Sequence, residues 1–531
     1  MISNPYPGTS GNLAAATFLH NRSALYVAAA ATFFFFGQLF AGTGLGMALK
    51  LTFAIVFGLL SIGAAGGVRT TFGILNLTIV AKFLLFGITV KILLLEPSEE
   101  NLRAPDATSL VMLLGFAGLF IGSALYRAFP KPSRTLVGEV TNPNVYLILS
   151  LLVLVLGVSG FVVGVQGAWT QHQVEVGGIY GWARAFSAFK GLAVVPAILY
   201  AWAAGKRRIM THPFVLGMFA ISLTMGILVT GKLEAMEPIL CYLLLGFLAY
   251  GWRYKPLWAV LVAGLAIYVA VVYPYSQYVR NAGAREGTLS DRARIVYRVF
   301  TDYLSDPDFR STMDAQVTRT DKYIPLYWSE PALAPVSRFA MIASADHLIF
   351  ASDELRSRSG WETITWGFKM LLPRALNPDK PRYEAGNYLA HIAGDAAPYD
   401  ITTTFTYGVA ADFYHAFGNP GVVLGCIILY AAFYYGLHLV FGNPRWIAVP
   451  SGGTLWMLLL FGYYQHRLAE LWVAGLIESL PPLVVLIAMY YMAVYAAQLL
   501  PVRTVVRNVH RSWPARVPVP SSHAAPSVRL Q

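Results

Sequence analysis

An all-α polytopic membrane protein, with about twelve crossings and one large, partly helical external loop, is the fold class this sequence predicts. Three observations carry that prediction. Hydrophobic residues make up 56% of the 531 and charged residues only 12%, about half of the roughly 25% usual in soluble domains. Apolar blocks recur along the chain near the ~20 residues that one helix needs to cross a bilayer. A single long hydrophilic excursion, from Tyr275 to about His415, sits late in the chain between two such blocks.

Taken in order, the blocks predict helices over 24–42, 47–67, 72–95, 108–129, 145–165, 185–204, 212–230, 235–252, 256–274, 416–440, 447–464 and 481–500. The first follows Arg22; its phenylalanine run is bulky and no small-residue cleavage site follows, so it reads as a retained span rather than a signal peptide. The formal charge of +12 belongs mostly to short connections, so topology accounts for it and no nucleic-acid partner is expected. Arg69, Arg127 with Lys131 and Arg134, Lys206 to Arg208, Arg253 with Lys255, Arg445 and the tail from Arg503 to Arg516 fall in alternate connections. Those connections should be cytoplasmic. The acid-rich connection Glu96 to Asp106 suits the outside. Both termini then lie in the cytoplasm, which an even span count requires. The chain divides into spans one to nine (1–274), the external loop (275–415), spans ten to twelve (416–502) and a Pro/Ser-rich basic cytoplasmic tail (503–531). That composition predicts disorder, and its cations suit anionic lipid heads. No internal repeat is visible, which weighs against an inverted-repeat transporter. Cys241 and Cys426 lie inside apolar blocks and read as packing residues.

Within the loop, Leu289 to Leu304, Val336 to Ala351 and Trp361 to Leu372 carry apolar residues at helical spacing. Such helices lie on the bilayer surface or pack on one another as a small cap. The run from Leu371 to His391 places Arg374, Lys380 and Arg382 within nine positions, punctuated by Pro373, Pro378 and Pro381. No helix runs smoothly through that proline spacing, so the segment should be a loop that presents cations.

Ionisable residues within spans are functional candidates by default. Lys82 and Lys91 fall in the third span; Lys82 pairs with a neighbour or lines a polar seam, and Lys91, near the outer end, can snorkel. On this topology Lys91, Arg184, Lys232, Arg280, Arg374, Lys380, Arg382 and Arg467 all fall at the external face, where short connections are normally poor in such residues. An anionic ligand, such as a lipid-linked phosphate or diphosphate, is the simplest reason for a cationic layer there. The planar fork of arginine holds two phosphate oxygens at once. The loop's own acids compete, most for Arg292, Arg294 and Arg298; near Arg374, Lys380 and Arg382 only Asp379 and Glu384 are close in sequence. An Arg467–Glu470 pair can be purely structural. Asp306-Pro307-Asp308 has the DxD form of a metal–nucleotide site, but an external site would meet no nucleotide sugar. His391 and Asp395, four apart, have the spacing of a base and its orienting acid; Asp412 and His415 lie one helical turn apart. No Walker A loop, zinc spacing or Gly-x-Ser-x-Gly elbow occurs, so no metal or cofactor is expected.

The run from Pro373 to Pro381 has the form P-R-x-L-x-P-x-K-P. The stretch Thr402 to Gly425 is similar to a G-x-x-x-E-x-Y-x-x-F-G-x-x-G lead into the next span, with Asp412 where the acid falls, then Tyr414, Phe417, Gly418 and Gly421. YPYSQYVRNAG (Tyr273 to Gly283) resembles an arginine-bearing exit from the preceding span. With the layout, these stretches resemble the bacterial oligosaccharide repeat-unit polymerases of the O-antigen polymerase (Wzy) type. The layout covers the whole chain; specific residues cover only 273–283 and 371–425. The resemblance implies a GT-C-like architecture in the bacterial inner membrane with the loop in the periplasm. It implies a metal-independent glycosyltransferase that builds O-antigen or exopolysaccharide from undecaprenyl-diphosphate-linked oligosaccharide. Fixed cations can assist departure of a lipid diphosphate in place of a metal; Arg280, Arg374, Lys380 and Arg382 take that role, with Lys91, Lys232 and Arg467 as further contributors. An acceptor hydroxyl needs a base, for which His391, Asp412 and Glu384 are candidates in that order. Trp328, Trp361, Trp366 and Tyr388 can stack on sugars or join an interfacial belt. Membrane lipids, a chain-length regulator and a flippase are the implied partners. O-antigen ligases share the layout, and a transporter or flippase of an anionic lipid-linked substrate is the reading from another class.

Overall fold

The computed structural model describes residues 13–166, 191–229, 238–246, 255–267, 289–320, 326–371, 385–397, 405–443 and 480–500, apart from some positions inside these ranges, together with a few isolated ones. Regular structure among them is helical throughout. Among the described residues, five helices are long and apolar enough to cross a membrane: Leu45–Ala64, Thr71–Leu94, Pro105–Ala128, Asn144–Val163 and Val409–Phe441. They coincide with the second to fifth and the tenth predicted spans. Shorter apolar helices, Ala24–Phe40, Val194–Ala203, Pro213–Leu228 and Leu483–Gln498, stand at the first, sixth, seventh and twelfth. The eleventh predicted span lies outside the described residues, and the eighth mostly does.

In chain order the helices are α1 (Leu13–Phe40), α2 (Leu45–Ala64), α3 (Thr71–Val80), a π-helical turn (Ala81–Leu85), α4 (Phe86–Leu94), α5 (Pro105–Ala128), α6 (Asn144–Gln166), α7 (Val194–Ala203), α8 (Pro213–Val229) and α9 (Lys255–Ile267). The loop contributes α10 (Leu289–Ser305), α11 (Pro307–Thr320), α12 (Met341–Glu354), α13 (Glu362–Leu371) and α14 (Ala385–Ala393). α15 (Val409–Phe441) and α16 (Leu480–Gln498) follow.

Helix α5 is central, packing against both α2 and α15. Glycines let α5 and α15 approach closely: a Cβ on Gly118 would sit 2.6 Å from the Cβ of Cys426, and one on Gly122 would sit 2.9 Å from the Ile427 carbonyl oxygen. Small residues at such a contact let helix backbones pack tightly where lipid offers no hydrophobic drive. Cys426 is a packing residue of this seam, buried and free. Asn76 pins four helices together. Its Nδ2 donates to the Ser61 carbonyl and to Ser123 Oγ, each at 3.0 Å, and its Oδ1 accepts from the Tyr434 hydroxyl. Every polar atom buried at such depth needs a partner, and here each is supplied from another helix.

One helix of the loop is built into the bundle and does not rest on its surface. Helix α12, read from sequence as a surface or cap helix, is buried along nearly its whole length and packs on α5, α14, α15 and the π-helical turn. Its polar residues bond to partners across the bundle, so they do not mark a water-facing side. Asp306-Pro307-Asp308 is a helix start: Asp306 Oδ1 accepts from the backbone N–H groups of Asp308 (2.9 Å) and Phe309 (3.2 Å). An aspartate at that position with proline next is a strong N-terminal signal, which accounts for the triplet without a metal.

Candidate functional site

Two neighbouring residues of α12 do different work. Asp346 is fully buried and accepts from the N–H of Arg103 (2.6 Å), the N–H of Ala104 (3.0 Å) and the hydroxyl of Thr108 (2.7 Å). These donors surround the start of α5, where the helix dipole favours an anion. These bonds fix α12 on the N-terminal end of α5, a helix long and apolar enough to cross a membrane. His347, the next residue, is thereby held towards Asp395. Its Nδ1 donates to Asp395 Oδ1 at 2.6 Å, and the Tyr407 hydroxyl donates to Asp395 Oδ2 at 2.8 Å.

Asp395 is 2% exposed and Tyr407 fully buried. Burial first, and then the Asp395 charge, hold the Tyr407 hydroxyl well above its usual pKa, so it remains a donor. A carboxylate on Nδ1 fixes the tautomer of an imidazole and leaves Nε2 as the basic nitrogen. His347 keeps some exposure, 13% of its side chain. The arrangement therefore presents an oriented base at the edge of a buried polar network.

A second imidazole lies on α15. Ser352 Oγ donates to the Leu348 carbonyl at 2.5 Å; since that carbonyl can only accept, the same oxygen accepts from Nδ1 of His415 at 2.8 Å. His415 Nε2 then carries the lone pair, buried and with no hydrogen-bond partner among the described residues. Beyond His415 the helix breaks. Gly418 has φ 70° and ψ −162°, and Pro420 lacks an N–H, so carbonyls of the preceding turn lose their usual donors. Residues before α13 replace them: Arg358 Nη1 donates to the Tyr414 carbonyl (2.8 Å), and the N–H groups of Ser359 and Gly360 donate to those of His415 (3.2 Å) and Ala416 (3.1 Å). Arg358 also pairs with Asp353 at 3.2 Å, which accepts from the Tyr414 hydroxyl at 2.7 Å.

Helices α13 and α14 pack on each other. Trp366 stacks on Tyr388 with ring centroids 5.0 Å apart, and the Tyr388 hydroxyl donates to Glu362 Oε2 at 3.1 Å. The cation-bearing segment predicted from sequence joins the end of α13 to the start of α14. No family model matches this chain, and neither a curated protein nor a solved structure does.

Of the residues nominated from sequence, Lys232, Arg280, Arg374, Lys380, Arg382, Glu384 and Arg467 lie outside the described residues. His391 is half-buried in the last turn of α14, and Asp412 is buried in the first turn of α15. Asp395 holds His347, not the nearby His391 that its spacing suggested. His415 takes its Nδ1 partner from Ser352 rather than from Asp412. Lys91 needs correction as a ligand-facing cation: it is fully buried, and its Nζ donates to Glu96 Oε2 (2.8 Å) and the Glu100 carbonyl (3.1 Å). Groups of the connection between α4 and α5 meet its charge inside the protein. Sequence reading missed His347 and Tyr407. The signal for His347 was an Asp–His pair inside an otherwise apolar helical run, where ionisable residues need a reason.

Proposed function

We propose that the chain is an integral-membrane glycosyltransferase of the repeat-unit polymerase type, with twelve crossings, GT-C-like architecture, both termini in the cytoplasm and its site at the periplasmic face of the inner membrane. The observation that carries this reading is the His347–Asp395 pair, an oriented base formed by a residue of α12 and one just past the end of α14, the helix that follows the cationic segment. In the reaction, an acceptor sugar hydroxyl of a lipid-linked repeat unit attacks the anomeric carbon of the growing glycan. The bond from that carbon to the undecaprenyl diphosphate breaks, and the hydroxyl proton passes to the base. His347 Nε2 takes that proton, in the role for which the sequence nominated His391, Asp412 and Glu384. Arg280, Arg374, Lys380 and Arg382 receive the departing diphosphate, whose developing charge fixed cations stabilise.

Arg374→Ala tests the reading on a glycan gel of cells that depend on this chain. Loss of polymer with accumulation of single repeats is the expected result. Long chains retained on the lipid carrier would indicate a ligase instead, and an unchanged ladder would overturn the assignment.

A further inference from the structure

Helix α13 leaves one face uncovered. Trp361, just before its first turn, is 67% exposed, and Phe368 is 57% exposed. With Thr365 between them they recur at four and three residues, so they share one side of the helix. The opposite side is occupied: Thr363 and Gly367 are buried, and Trp366 stacks on Tyr388. Lys369, also exposed, borders the aromatic face.

The depth of this face follows from its contacts. The Trp361 ring meets that of Phe417 edge to face, with centroids 5.2 Å apart, and Phe417 immediately precedes the break at Gly418. From Pro420 to Phe441 the remainder of α15 extends about 33 Å at ~1.5 Å per residue, enough for the ~30 Å hydrocarbon core. Leu424 (60%) and Ile428 (66%) on it are exposed, as lipid-facing side chains are. The break therefore stands at one end of a helical stretch of core-crossing length, and α13 begins beside it. Aromatic side chains beside a lysine at this level match the composition of the membrane interface.

We propose that α13 lies in the outer membrane interface, with Trp361 and Phe368 among the acyl chains and Lys369 at the headgroups. The occupant of the uncovered face is the phospholipid bilayer. The helix thereby anchors, at headgroup level, the point where the cationic segment begins.

The test uses the full chain reconstituted in phosphatidylcholine–phosphatidylglycerol vesicles, with a nitroxide label on Thr365→Cys, Phe368→Cys or Lys369→Cys. Cys241 and Cys426 are buried and leave the introduced thiol as the one to label. Collision with dissolved oxygen should exceed collision with a water-soluble nickel chelate several-fold at 365 and 368, and the order should reverse at 369. Nickel-dominated collision at 365 and 368 would overturn the proposal by showing a water-facing surface. Exclusion of both reagents would overturn it by showing a protein cover, such as a second copy. The readout involves no glycan, so its failure and that of the transferase reading are distinguishable.

Discussion

Replacing Asp395 by asparagine removes the charge that orients His347 while keeping the shape. The carboxylate is 2% exposed and accepts from His347 at 2.6 Å and Tyr407 at 2.8 Å. The amide has one acceptor oxygen for these two donors, and its own NH2 then faces a donor. A hydrogen bond to a charged group contributes about 1.5–3 kcal/mol. One such bond is lost and the other becomes neutral, so a stability loss of about 2–4 kcal/mol is expected. A mis-set base forfeits general-base catalysis, which contributes on the order of 10²- to 10⁴-fold. Polymer formation should therefore fall by that order, well beyond what reduced protein level explains. Thermal unfolding in detergent, protein level by blot and glycan ladders on a gel separate the two effects. Tyr407→Phe is the control, since it removes a bond to the same carboxylate but leaves His347 held. It should cost about 1.5–3 kcal/mol and keep most of the polymer per molecule of folded protein. If Asp395→Asn formed wild-type polymer per molecule of protein, or if both variants lost polymer only in proportion to their protein level, the pair would be a strut and not an oriented base.

Lys91→Met should destabilise by about 2–4 kcal/mol, because it leaves Glu96 without its buried cation, while transfer per folded molecule stays near wild type; a selective rise in KM for lipid-linked substrate would restore Lys91 to the binding site. Gly408→Ala should cost roughly 2–4 kcal/mol, since φ there is +85° and a Cβ would strike the Phe83 ring; an unchanged melting temperature would refute that contact. Tyr407 has a folded pKa raised above the unfolded value near ~10, so its contribution is complete below about pH 10 and is lost as pH rises from there towards the folded pKa. Tyr407→Phe should make the alkaline fall in melting temperature shallower than in wild type, and identical slopes would contradict the burial of this hydroxyl.

The helices long and apolar enough to cross a membrane are legible in the sequence because length and composition alone define them. Leu45–Ala64 or Pro105–Ala128 needs only length and apolarity to be found. Helix α12 is not legible in the same way. Its Asp346 and His347 look like a polar side until their partners are known, and those partners come from Arg103, Ala104, Thr108 and Asp395. Local spacing favoured His391 for Asp395 because helical periodicity carries information over one turn, whereas the observed partner lies 48 residues away. Lys91 was legible in position but not in role; the acid that satisfies it, Glu96, was visible in the acid-rich connection that follows. The break in α15 was partly legible, since Gly418 and Pro420 flank Asn419. The donors that fill the opened carbonyls come from Arg358, Ser359 and Gly360, and no nearby sequence signal announces them.

Because α12 is enclosed by α5, α15 and the π-helical turn, the stretch 275–415 is not a module that can be cut out and produced alone. Severed from the crossing helices, it would bare Met341, Ile342, Leu348 and Ile349 and leave Asp346 facing no helix start. Antibodies raised on such a soluble fragment would see a surface that the intact protein never displays.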